Sequence, residues 1–473
     1  MADRLAPTPE EVHALLQAAA ELVTDYYATL PERPVLAPTT SASLRERLRE
    51  PLPREGTELA ALLDTLREVV LGFSRHNGHP RFFGYVASPG TPITAAGSLI
   101  EAALNANVTS WRSSPSGAEL EHLVIDWLKE MLGYPAEAAG LLVSGGSMAN
   151  LAALAAARSA KFPNVVREGV AGLRASLYAS SEAHVSLRKA AGMLGLGEAN
   201  VRTVRTDDRL RMDPADLERL IQADAASGYT PLCVVASLGT VGSGAVDPLA
   251  AISRIARQHR LWLHVDAAYG GFAALAPSGR PHIAAVAEAD SVTLDPHKWL
   301  YLPTGCGCVL YRDPATARAV FSHDAEYTRV LGQERNEAFA FWDYGPELSR
   351  PFRALNLWLL LKYAGARRLG EAIESNIECA RYFEGLVQEA GDLEMLAPVE
   401  LSIFCFRYVP PGFTGDLDAL NERILVALQR GGSSYLSNAR VRGKFALRGC
   451  VLNYRTTRQD MERLIEDVRR AAR

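Results

Sequence analysis

The chain has 473 residues, 48% of them hydrophobic, and a formal net charge of −4, which supplies a large core and no basic surplus for nucleic acid. Its six cysteines (Cys233, Cys306, Cys308, Cys379, Cys405 and Cys450) are too scattered for a disulfide framework, and a lone Cys306-x-Cys308 pair is a weak metal signal. No apolar run reaches membrane-span length and the first residues lack a signal-peptide pattern, so a cytoplasmic protein without metal, membrane or nucleic-acid partners is expected.

Residues 8–75 read as helices, TPEEVHALLQAAAELVTDYYATL, SLRERLREPL and GTELAALLDTLREVVLGFSRH, with apolar residues at three- and four-residue spacing. Thr8 and Glu11 are spaced as a capping box, and LPERPVLAPTTSAS is a Pro-rich connector. An arm over 1–80 is too thin to hold a core alone and is expected to pack on something else, a partner subunit being a good candidate. From about 80 to 315, short apolar runs (GLLVSG, ASLYAS, PLCVVASLG, LWLHVDAAYG, DSVTLD) alternate with helical stretches. Such alternation predicts a mostly parallel sheet covered on both faces. A long helical region beginning RALNLWLLLKYAG then leads to strands LSIFCFRYV and GKFALRGCVLNYR with two further helices. The expected organisation is a helical arm over 1–80, a large α/β domain over 81–370 and a small α+β domain over 371–473.

Ligands in sheets of this type settle beyond the carboxyl ends of the strands, and three features fall there. SGGSMAN, Ser144 to Asn150, joins a strand to a helix; its glycines let an anion approach the backbone, and Ser147 adds a hydroxyl. Taken alone, it reads first as a plain helix-capping turn. Asp266 closes the apolar strand in LWLHVDAAYGG, where a carboxylate must be paired or solvated; the alternatives are a helix cap or a partner for a protonated ring nitrogen. Ala267 and Ala268 suit a flat group lying close to the backbone. Lys298, in SVTLDPHKWLYLPTGCG, follows a second apolar strand, and a desolvated amine there is a nucleophile towards carbonyls, whereas an ordinary lysine is a surface residue. Phosphate cradle, ring-nitrogen partner and amine together are what a pyridoxal phosphate site needs.

DPHKWL (Asp295–Leu300), SGGSMAN, HVDAAYGG, HPRFFGY (His79–Tyr85) and WRSSPSGAELEHLVIDWL resemble, in the right order, motifs of the pyridoxal-phosphate-dependent group II amino-acid decarboxylases. The similarity runs from about residue 15 to the C-terminus and is closer to the aromatic than the glutamate branch. It implies fold type I (aspartate aminotransferase-like), with a mostly parallel seven-stranded sheet between helices, and an intertwined homodimer with sites at the interface. It further implies decarboxylation of an L-amino acid to an amine and CO2; another fold-type-I reaction, such as aldehyde synthesis or transamination, is the alternative.

By the same resemblance, Lys298 would hold pyridoxal 5'-phosphate, Asp266 would keep its ring nitrogen protonated and His184 would stack on the ring. Gly146, Ser147, Ser291 and Asp295 would lie around the phosphate, with Thr240 and Ala268 beside the cofactor. Asp295 stands where relatives carry asparagine, and Val241 where they carry a second threonine. Tyr327 would return a proton to the substrate carbon after CO2 leaves. Tyr85, Val86, Ser88, Asn107, Thr109 and Arg448 would face the substrate; Val86, Asn107 and Thr109 imply a pocket partly smaller and more polar than that of aromatic decarboxylases. Pro351 replaces a residue that is often arginine.

Overall fold

The computed structural model describes residues 6–323 and 339–473. At the N-terminus, the Glu11 amide donates to Thr8 Oγ1 (3.2 Å) and the Thr8 amide to Glu11 Oε2 (2.7 Å), so the expected capping box opens the helix Pro9–Thr29. That helix, Ser41–Leu48, and Leu59–Thr65 with its continuation Leu66–Leu71 contain no buried residue. Val12, Leu15, Leu16, Val23, Leu62, Leu66 and Val70 are all exposed along them. Amphipathic helices ordinarily bury their apolar face, and here that face is left uncovered.

Seven strands form the large sheet: β1 (Ala139–Val143), β2 (Ala175–Ser180), β3 (Val201–Val204), β4 (Thr230–Ser237), β5 (Trp262–Asp266), β6 (Ser291–Leu294) and β7 (Gly307–Tyr311). Their spatial order is β1-β7-β6-β5-β4-β2-β3, and only β7 runs against its neighbours. β2, β4 and β6 are buried throughout or nearly so, as a sheet covered on both faces requires. The helix Gly146–Lys161, rich in alanine, packs across β4–β7. Small side chains let it lie close to the strands. The register places Ser237, Asp266 and Thr293 side by side on β4, β5 and β6. The carboxyl ends of β1, β2, β4, β5 and β6 therefore share one edge with the start of β7.

A second, antiparallel sheet has the order β10-β11-β9-β8, from β8 (Leu393–Met395), β9 (Ile403–Tyr408), β10 (Ser437–Val441) and β11 (Lys444–Cys450). The helix Arg353–Glu389, broken at Gly365 (φ 74°, ψ 153°), serves both units: Leu357 and Ile373 enter the large core, Phe383 and Val387 the small one. The boundary expected at 370/371 thus falls inside a helix, because one long apolar face bridges two cores. Residues 82–85 also join the small unit, with the Phe83 amide donating to the Tyr435 carbonyl (2.9 Å).

A buried ion pair ties the front of the large domain together. Arg350 and Glu121 side chains are both 0% exposed and in direct contact. Arg350 also donates to the carbonyls of Val108 (2.7 Å) and Leu142 (2.8 Å), and Glu121 accepts from the Leu142 amide (2.8 Å). Pro351, by contrast, is exposed, and the buried guanidinium belongs to its neighbour. Removing one partner of such a pair strands a buried charge, whereas removing both does not. Arg350→Met is expected to cost about 3–5 kcal/mol in urea unfolding, and Arg350→Met with Glu121→Met to recover most of that loss.

Candidate cofactor and substrate site

A cavity of about 390 Å³ opens at the shared strand edge, lined by Ser144–Met148, Asn150, His184, Ser237, Gly239–Val241, Asp266, Ala268, Tyr269, Asp295, His297, Lys298, Val86 and Thr304. Its size is in the range of small-molecule sites. Of the residues singled out in the sequence, this cavity brings together Lys298, Asp266, His184, Gly146, Ser147, Thr240, Ala268, Asp295 and Val86.

The glycine turn is built by close packing. Gly145 has φ 155° and ψ 176°, a conformation open essentially to glycine, and a Cβ on Gly307 of β7 would lie 2.5 Å from its backbone. The turn aims the first amides of the helix Gly146–Lys161 into the cavity, a ready anion site. On the next strand end, Asp266 is 9% exposed. Its Oδ2 accepts from Asn150 Nδ2 (3.0 Å) and its Oδ1 from the Ala268 amide (3.2 Å). His184, after β2, accepts at Nδ1 from the Ser186 amide (3.2 Å) and contacts Ser186 Oγ (2.7 Å). Burial pushes its pKa down, Asp266 opposing, so the imidazole is neutral at physiological pH.

Lys298 sits in the single turn Pro296–Trp299, with its amide on the Asp295 carbonyl (2.8 Å). Trp299 is fully buried and stacks on Tyr269 at 4.9 Å, which pins the turn to the sheet. The amine is less isolated than its apolar setting suggests: its side chain is 20% exposed and its Nζ pairs with Asp295 Oδ2 at 3.0 Å. Asp295 therefore faces the lysine, while its Oδ1 is buried without a partner. A Cβ on Gly146 would lie 2.8 Å from Asp295 Oδ2, so this carboxylate also abuts the helix N-terminus.

Several expected neighbours lie elsewhere. Ser291 is 0% exposed at the start of β6, bound to Trp262 Nε1 and His264 Nδ1 (2.8 Å each), so it is at the wrong end of its strand to reach a phosphate or Asp295. Asn107 Oδ1 accepts from the Arg350 amide (2.9 Å), and the Thr109 hydroxyl donates to the Leu348 carbonyl; both hold the 348–350 segment rather than line the cavity. Ser88 donates to the His297 carbonyl (3.0 Å) from behind the lysine turn. Tyr85 is 51% exposed with φ 59°, and the buried Arg448 donates to its carbonyl instead of reaching the cavity. Tyr327 lies outside the described residues. Cys306 and Cys308 are buried, and burial pushes the Cys306 thiol up to about 12.

Sequence reasoning missed Asn150, Ser186, His264 and Thr293, which bond one another behind Asp266. The available signal was W-x-H-x-D inside β5: alternate polar residues on one face of an otherwise apolar strand.

A primary amine, a buried carboxylate, a neutral imidazole and a glycine turn at a helix N-terminus converge here on a sheet of fold-type-I order. They match the aldehyde, ring nitrogen, flat ring and phosphate that pyridoxal phosphate presents, which defines a pyridoxal-phosphate enzyme. Residues 42–409 match the pyridoxal-dependent decarboxylase conserved domain, and the chain belongs to that family of amino-acid decarboxylases, with pyridoxal 5'-phosphate as cofactor. It is 33% identical to an aromatic-L-amino-acid decarboxylase of Bacillus atrophaeus over 100% of this chain and 98% of that one. A phenylacetaldehyde synthase of a Rosa hybrid cultivar is 30% identical over 94% and 90% of the two chains. The crystal structure of an Oryza sativa TDC with PLP and tryptamine superposes with a TM-score of 0.93 at 30% identity, covering 99% of each chain.

Asp295 is the testable oddity, because a second anion beside the helix N-terminus opposes a phosphate dianion there. Asp295→Asn is expected to tighten pyridoxal phosphate binding about tenfold, measured by titrating the visible absorbance of the bound cofactor. Unchanged or weaker binding would show that Asp295 serves the lysine alone.

Proposed function

We propose that the chain converts an aromatic L-amino acid to the corresponding amine and CO2 in the cavity at the carboxyl edge of the large sheet. The observation that carries this is the meeting of Lys298, Asp266, His184 and the Gly145–Ser147 turn in one cavity. The names of its relatives support an aromatic substrate. The expectation of a smaller, more polar pocket loses support, since Asn107 and Thr109 are spent on the 348–350 segment and only Val86 of the three lines the cavity.

Pyridoxal phosphate, when bound, supplies the electron sink for the bond from α-carbon to carboxylate. Lys298 Nζ offers the amine for its aldehyde, and Asp295 Oδ2, 3.0 Å away, is placed to take the proton that the amine must lose. Asp266 would keep a proton on the cofactor's ring nitrogen as an adjacent anion. Gly146 and Ser147 amides and the Ser147 hydroxyl would cradle its phosphate, and Thr240 and Ala268, which line the same cavity, would lie beside it. His184 supplies a neutral, flat face. The proton returned to the α-carbon is assigned to Tyr327 on its sequence position.

A second copy completes the assembly in this reading, because the arm helices and Leu99, Ile100 and Leu104 expose apolar side chains. Six free, buried cysteines suit the reducing cytoplasm. Among the described residues no helix is long and apolar enough to cross a membrane.

The rose relative named as an aldehyde synthase makes oxidative aldehyde formation the rival. A panel of L-amino acids assayed for CO2, amine, aldehyde and peroxide separates the two. Amine and CO2 in equal amounts from an aromatic amino acid are expected, and Tyr327→Phe should lower amine formation about a hundredfold, the usual share of a general acid. Aldehyde and peroxide from the wild-type protein would refute plain decarboxylation.

A further inference from the structure

We propose that His264 and Asn150 are positioning residues that fix the orientation and charge of Asp266 and His184 through a hydrogen-bond chain of a single polarity, buried at its centre, that starts at Trp262. This rests on the reading that Asp266 and His184 face the cofactor.

The chain is short and continuous. Trp262 Nε1 donates to Ser291 Oγ (2.8 Å), and Ser291 Oγ meets His264 Nδ1 (2.8 Å). His264 Nε2 meets Asn150 Oδ1 (3.0 Å), which also accepts from the Thr293 hydroxyl (2.7 Å). Asn150 Nδ2 donates to Asp266 Oδ2 and to Ser186 Oγ (3.0 Å each), and Ser186 Oγ meets His184 Nδ1 (2.7 Å). The period of two in β5 puts Trp262, His264 and Asp266 on one face, and Ser291 and Thr293 follow suit on β6. Asn150 reaches that face from the overlying helix.

The Asp266 end dictates the direction, and the Trp262 end agrees with it. An indole N–H only donates, so Ser291 accepts there and keeps its own proton available for His264 Nδ1, which agrees with an imidazole proton on Nε2. From the other end, a carboxylate only accepts, so Asn150 presents its amide nitrogen to Asp266 and its oxygen to His264. The Ser186 amide donates to His184 Nδ1, so the Ser186 hydroxyl takes the Asn150 proton and gives its own to that ring, leaving the His184 proton on Nε2. A rotation of the Asn150 amide would set oxygen against the Asp266 carboxylate, and the His264 Nε2–H opposes it. Burial supports the arrangement: His264 is 0% exposed and its pKa falls to about 4 against the pull of Asp266, so it stays neutral. A neutral His264 adds no second cation to compete with the ring nitrogen for Asp266.

The test measures pyridoxal phosphate dissociation constants and the visible absorption band of the bound cofactor. His264→Leu is expected to weaken binding about tenfold, one hydrogen bond to a charged network. His264→Gln retains a donor near Nε2 and should stay within about threefold of wild type. Trp262→Phe keeps an aromatic ring and removes the starting donor, outside the residues that line the cavity. It should shift the absorption band and weaken binding about threefold with an unchanged melting temperature, and it decides the matter should His264→Leu not fold. Asp266→Asn is the control. Wild-type binding in Asp266→Asn would overturn the reading of the site itself. Loss in Asp266→Asn with wild-type binding and spectrum in Trp262→Phe would overturn the chain, as would equal damage from His264→Gln and His264→Leu.

Discussion

The constraint on which the site depends is an anion withdrawn from water at the end of β5. Asp266 is only 9% exposed, and a carboxylate in that position must be met by donors that cannot turn away. Asn150 and the Ala268 amide meet it, and the polar face of β5 and β6 behind Asn150 keeps that amide from turning. The arrangement leaves the cavity side of the carboxylate for a ligand. It also explains why a helix of small residues lies on this face: Asn150 has to come close enough to bridge a strand end and a histidine two residues earlier.

The parallel sheet turns that local solution into a site. Five strands end at the same edge and each delivers part of the cavity lining: the glycine turn after β1, His184 after β2, Thr240 after β4, Asp266 on β5 and Lys298 after β6. β7, running the other way, begins there with Gly307 against Gly145, so two glycines in contact set how closely the anion turn approaches the lysine turn. Asp295 links the two, pairing with Lys298 while abutting the helix N-terminus. Its charge pairs with the amine and would oppose a phosphate at that N-terminus.

The alternation of apolar strands and helices and the convergence of SGGSMAN, Asp266 and Lys298 were legible because they depend on short spacings and on strand ends. What was not legible depends on contacts between distant residues. Arg350 and Glu121 are 229 residues apart, and nothing local marks either as buried. Asn107 and Thr109 read as substrate contacts but are claimed by the 348–350 segment that the Arg350 pair anchors. Ser291 was misplaced because a four-residue strand has two ends and only the carboxyl end meets ligand. The W-x-H-x-D pattern of β5 was readable in principle, yet its meaning needs Asn150 from a different element.

Everything proposed for the site requires that Lys298 be the amine this cavity presents to the cofactor. Borohydride reduction of the protein with pyridoxal phosphate bound, followed by peptide mass mapping, tests it most directly. A phosphopyridoxyl group on Lys298 is the expected result. The group on Lys161, Lys189 or any other lysine, or none retained at all, would contradict it.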